Sequence, residues 1–206
     1  MKISTAKTRK LLSAILCVAA ALLSISCKSS REPGGLGILG PADQTAEAAD
    51  LVAEANQELQ QVKVLFNENE GKRDEIKRAL EDNDAANVKK ISDEVVLLIN
   101  EGFVHGDTAV EKIVQARGMN INETYREYLG LKEDALRKQM EAFDNYRRAA
   151  KMLRDTYDPQ NAAARERVNA EFKNRNEEYA NLMEEARQLS SEANELAKNA
   201  LKKQQN

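Results

Sequence analysis

"EFKNRNEEYANLMEEARQLSSEANELAKNA", residues 171–200, decides the fold class. Phe172, Tyr179, Leu182, Ala186, Leu189, Ala193, Leu196 and Ala200 recur in alternating steps of three and four. That is the heptad seam of a helix packed along another helix, and the alternation of alanine with leucine implies close approach of the partner. Working back along the chain, three more seams carry the same period. Ala48, Val52, Ala55, Leu59, Val62 and Phe66 form the first, continued by Ile76 and Leu80. Val88, Ile91, Val95 and Leu98 form the second. The third runs through Tyr125, Leu129, Leu136, Met140, Phe143, Tyr146, Ala150, Leu153 and Tyr157. No strand pattern competes.

Breakers divide these seams. "NENEGKRDE", 67–75, is polar throughout, so Gly71 reads as a weak point or a break. "LEDNDAANVKKI", 80–91, supplies a turn in which Asn83 or Asp84 is suited to cap the following helix. In "EGFVHGDTAVEKI", 101–113, Gly102 and Gly106 bracket His105, and Thr108 and Glu111 have capping-box spacing. A kink or short break is expected there. "ARGMNINETY", 116–125, is the next turn, with Gly118 as a left-handed C-terminal cap and Asn120 and Glu123 in capping-box spacing. In "TYDPQN", 156–161, Asp158 suits a cap and Pro159 the first helical position.

The resulting segments are 43–81, 84–117, 120–157 and 159–203, each about 50–65 Å long at ~1.5 Å per residue. Similar lengths joined by short turns predict an all-α fold, an elongated antiparallel bundle or coiled coil of about four long helices. The alternative is a looser set of helical hairpins that completes its core by oligomerising. Composition agrees: charged residues make up 32% of the 206, aromatics only 4%, and tryptophan is absent. Glu133 with Arg137, Asp134 with Lys138 and Glu171 with Arg175 are spaced as exposed pairs worth roughly 0.2–0.5 kcal/mol each.

The first 44 residues differ. Lys2, Lys7, Arg9 and Lys10 precede an uncharged run from Leu11 to Ser26. That run of 16 residues suits an export signal and falls short of the ~20 that span a bilayer. "LLSISC", 22–27, resembles the lipobox of bacterial lipoproteins, with Ser26 as the small residue before Cys27. Ser24 stands where that class usually has leucine. The resemblance covers only these first residues. It implies a signal peptide over 1–26, cleavage before Cys27, diacylation of the Cys27 thiol and a further N-terminal acyl chain such as palmitate. It also implies a membrane anchor, and Lys28 after the cysteine favours the periplasmic face of the outer membrane. Residues 27–44 then form the lipidated N-terminus and a flexible Gly/Pro tether, spanning on the order of 25 Å, and 45–206 the helical domain. Cys17, the only other cysteine, would leave with the signal, so no internal disulfide is expected in the mature chain.

The formal charge of −3 becomes −7 once the first ten residues, with four cations and no acid, are set aside. No basic stripe interleaves with aromatics, so nucleic-acid binding is not expected. Nor is enzymatic activity: His105 is the only histidine, and no nucleophile motif, HExxH, CxxCH, Walker loop or GxGxxG accompanies it. No catalytic residue, cofactor or metal is expected. The leading expectation is a lipid-anchored envelope protein whose helical seams serve structural work, protein binding or self-association. The alternative is a periplasmic ligand-binding four-helix bundle holding haem, metal or a small molecule near the 102–107 break, with His105 as candidate ligand.

Overall fold

A computed structural model describes residues 43–204. The described residues form four helices and no strand: α1 (Thr45–Glu81), α2 (Ala85–Gly118), α3 (Glu123–Thr156) and α4 (Ala162–Gln204). Each helix lies against the next, so the chain runs up, down, up and down. The interhelical pairs fix the antiparallel sense. Lys72 meets Glu94 at 2.6 Å and Lys112 meets Glu54, so residue numbers rise in α1 as they fall in α2. Lys138 meets Glu185 at 2.9 Å across α3 and α4.

The turns use the residues that fit their backbone. After α1, Asn83 takes a left-handed conformation with φ 54°. The Asp84 amide donates to the Ala79 carbonyl at 2.9 Å and the Asn83 amide to Leu80 at 3.3 Å. These two bonds form a Schellman closure with asparagine in the place glycine usually takes. Asp84 then caps α2, accepting from the Asn87 amide at 3.1 Å. Three residues thus end one helix and begin the next.

The other turns depart from the sequence-based expectation. Asn122, not Asn120, caps α3 by accepting from the Tyr125 amide at 2.8 Å. Asn120 instead ties that turn to the start of α1: its amide donates to Gln44 Oε1 and its carbonyl accepts from the Gln44 amide, both at 2.9 Å. Gly118 is the last residue of α2 and does not adopt positive φ. Before α4, Asn161 is the cap, accepting from the Ala164 amide at 3.0 Å. Asp158 accepts from the Gln160 amide at 2.9 Å and shapes the preceding turn, so Pro159 precedes the helix rather than opening it. Each turn holds several Asn and Asp residues, and only the one that meets a free amide becomes the cap.

Neither expected break exists. α1 continues through Gly71, and α2 continues through Gly102, His105 and Gly106. Thr108 does not restart a helix; its hydroxyl donates to the Val104 carbonyl within α2 at 2.9 Å.

The core is divided lengthwise. One cluster joins Ile76 and Ala79 of α1, Val88 to Ile99 of α2, Tyr146 to Leu153 of α3 with Tyr157, and Val168 of α4. Phe172 and Tyr179 of α4 pack against it. Tyr146 and Tyr179 lie with ring centroids 6.2 Å apart, and burial pushes both phenols above their ordinary pKa. The second cluster joins Ala48 and Ala55 of α1, Ala109 to Ala116 of α2, Ile121, and Leu129, Leu136 and Met140 of α3. It contains no residue of α4. Four helices therefore enclose the core at one end and three at the other.

α4 reaches the second end on a different face of α3. Ala135, Ala142 and Ala149 of α3 are buried at intervals of seven, as are Ala186 and Ala193 of α4. Lys138, on the same face as those α3 alanines, points to Glu185 of α4. Leu189 and Leu196, which the heptad reading places in the core, are only half-buried because α3 alone covers them. The backbones of α1 and α4 barely approach each other. α3 is consequently buried on two faces, which also explains Glu133. Read from sequence as an exposed pair with Arg137, Glu133 is buried and also meets Arg117 of α2 at 3.0 Å. Lys138 pairs with Glu141 and Glu185 rather than Asp134. Glu171 and Arg175 do pair, at 2.6 Å.

The alanine seam yields a direct test. Ala142→Leu inserts a branched side chain at a fully buried position on the alanine face of α3. It is expected to destabilise the fold by about 1–3 kcal/mol in urea unfolding, whereas a loosely packed seam would gain stability from the added apolar surface.

Candidate functional site

The two core clusters meet at a waist, where Phe103 of α2 and Phe143 of α3 pack against both. Phe66 of α1 joins them, its ring centroid 5.6 Å from that of Phe143. Arg147 closes one side: its guanidinium lies over the Phe103 ring at 4.6 Å, donates to Asn100 Oδ1 at 2.9 Å and pairs with Asp144.

The glycines expected to break α2 thin this waist instead. At Gly106 a Cβ would fall 2.2 Å from Met140 Sδ, so its absence lets Met140 lie against the α2 backbone. At Gly102 the nearest atom to such a Cβ is Leu65 Cδ1 at 4.0 Å, so space remains. That space belongs to a groove between α1 and α2 with α3 as its floor. It is lined by Val62, Leu65, Phe66, Asn69, Leu98, Ile99, Gly102 and Phe143, and is shallow, with room for about one water molecule.

Asn69 is the polar member of that lining, and it is 5% exposed. It occupies a core position: Ala48, Ala55, Val62, Asn69 and Ile76 are buried at intervals of seven along α1. Its Oδ1 is shielded from solvent and has no hydrogen-bond donor. An unpaired buried amide oxygen costs roughly 1–3 kcal/mol; the buried Ser92 and Ser190 hydroxyls are likewise without a partner. Sequence reasoning missed Asn69 because "NENEGKRDE" reads as uniformly polar. The available signal was its spacing, seven residues after Val62 and seven before Ile76.

His105 faces α1 beside the groove, outside its lining. Its Nδ1 lies 2.6 Å from Glu58 Oε2, with both side chains about one-third exposed. Together with Lys112 and Glu54 this pair tethers α2 to α1. Among the described residues no group of three or more His, Cys, Asp or Glu side chains is placed to hold a metal ion. The tyrosines of the third seam lie where a packed seam places them: Tyr146 and Tyr157 are buried, and Tyr125 packs against the second cluster. Cys27, the expected signal over 1–26 and nearly all of the tether lie outside the described residues. Among those described, no helix is long and apolar enough to cross a membrane.

The two α2 glycines are distinguished by substitution. Gly102→Ala is expected to raise stability by about 0.5–1 kcal/mol, because alanine favours helix and its methyl meets only ordinary contact. Gly106→Ala forces Met140 to move, so thermal unfolding is expected to show no gain or a loss; equal gains at both positions would remove the close-approach explanation. Comparison with protein-family models, with curated proteins and with solved structures returned no match for this chain.

Proposed function

We propose that this chain is a lipid-anchored cell-envelope protein whose helical body does structural or protein-binding work at a membrane surface. The observation that carries the reading is the position of Cys27. It follows an uncharged run behind a basic N-terminus and precedes a stretch rich in glycine and proline. On this reading Cys17 leaves with the signal, so Cys27 has no partner cysteine in the mature chain. Thiol diacylation together with a further acyl chain meets the two-signal requirement for firm membrane attachment. Lys28, next to it, favours the outer membrane.

The surface of the body supports a protein-binding role. Leu97 and Val104 lie one heptad apart on the solvent face of α2 and are 61% and 66% exposed. Two apolar side chains at that spacing match the edge of a helix-in-groove contact. The mixed charges around them, and the net charge of −7 outside the first ten residues, direct the reading to proteins rather than nucleic acid.

Metabolic labelling with a palmitate analogue tests the anchor. Label is expected on the wild-type chain and its loss on Cys27→Ala, with release of the variant from the membrane fraction. Label that persists in Cys27→Ala would refute the assignment.

A further inference from the structure

Among the described residues, the large apolar side chains left most open to solvent are Val104, Leu97 and Val64, the last 60% exposed. Leu97 stands two residues from the buried Val95 and Ile99, and Val64 two from the buried Val62, so each points away from the core. The register set by Lys72 with Glu94 and Lys112 with Glu54 brings Val64 level with Gly102, between Leu97 and Val104. The α2 column continues at both ends. Lys90, Leu97, Val104 and Glu111 are all exposed and are spaced by sevens, which keeps them in one line along the helix. Neither Lys90 nor Glu111 joins an ion pair among the described residues. Glu94, one turn from Lys90, is held by Lys72, and Glu111 accepts only from Gln115 Nε2 at 3.3 Å. The order cation, aliphatic, aliphatic, anion is complementary to its own reverse.

We propose that this face is the contact surface for a second copy of the chain, in a two-fold symmetric dimer whose α2 helices run antiparallel with the axis between Leu97 and Val104. Each Leu97 then packs on the partner's Val104, and each Lys90 meets the partner's Glu111, so every contact occurs twice. A parallel pairing would set Lys90 on Lys90 and Glu111 on Glu111. Val64, level with the axis, widens the apolar centre. Glu101 comes level with its own copy at the edge of the seam, a like-charge contact that keeps the association weak. The face from 90 to 111 is about 30 Å long and two helices wide, roughly 600 Å² per copy. Twice that area is the lower limit of a specific interface and suits a reversible dimer. The proposal rests on the protein-binding reading of this surface and not on the lipid anchor.

Charge exchange at exposed positions tests the pairing without touching the core. The full chain, wild type and variants alike, is sedimented in one mild detergent, so that association through the N-terminal segment is common to all. A monomer–dimer equilibrium is expected at about 10–100 μM. Lys90→Glu and Glu111→Lys are each expected to weaken it about tenfold, since two attractions become two repulsions. The double variant Lys90→Glu/Glu111→Lys is expected to restore it, and Leu97→Ser to weaken it more than tenfold. Direction is read by joining single cysteines with a short bis-maleimide in a Cys17→Ala/Cys27→Ala background. Glu101→Cys is expected to link to its copy, and Ala86→Cys, about 40 Å from its copy, is not. A chain that stays monomeric to about 1 mM, single charge variants that associate like the wild type, a double variant that is not restored, or linkage at residue 86 would each overturn the proposal. A failed anchor shows in acyl labelling and leaves this equilibrium unchanged, whereas a failed self-contact shows here with labelling intact.

Discussion

α3 must be buried on two faces at once. Its leucine, methionine and aromatic face closes the core against α1 and α2, and its Ala135–Ala142–Ala149 face receives α4. Small side chains on the second face let α4 approach closely, with Ala186 and Ala193 buried against α3. Because α4 is held on that face, it reaches the shared core only through Val168, Phe172 and Tyr179 at its N-terminal end. The buried Glu133, clamped by Arg117 and Arg137, follows from the same constraint: a helix covered on two sides has little surface left for charge.

The waist is the second consequence. The core does not run continuously from one end to the other. It narrows where Asn69 takes an apolar position and Gly102 and Gly106 remove side chains from α2. Aromatic rings from α1, α2 and α3 bridge the gap, and Arg147 stacks over one of them. The α1–α2 pairing survives this thinning because polar pairs flank it, the Lys72–Glu94 ion pair on one side and the His105–Glu58 hydrogen bond on the other. Such half-exposed pairs contribute little energy individually but discriminate against a shifted register.

Helices and seams were legible in the sequence because heptad spacing is a local property. The four segments read from it match the observed helices to within about three residues at each end. Turn details were less legible: Asn120 and Asn122, or Asp158 and Asn161, are chemically equivalent caps until the backbone selects one. Glycine misled in α2, where a residue type that breaks helices marked Met140 pressed against a continuous one. The incomplete closure between α1 and α4 could not be read, since it depends on which face of α3 receives α4. Residues 102–107 read as a kink or break in the sequence, whereas α2 is continuous through them. His105 tethers two helices, while Asn69, hidden in a polar run, faces the groove.

The account makes α3 the support of everything else and leaves the C-terminal half of α4 resting on α3 alone. Native-state hydrogen exchange measures that dependence residue by residue. Amides of residues 183–200 are expected to exchange through local opening, with clearly lower protection than amides of 132–150 in α3, which open only with the whole fold. Equal protection along both helices would contradict the account, because it would require α4 to be enclosed by more than its alanine seam.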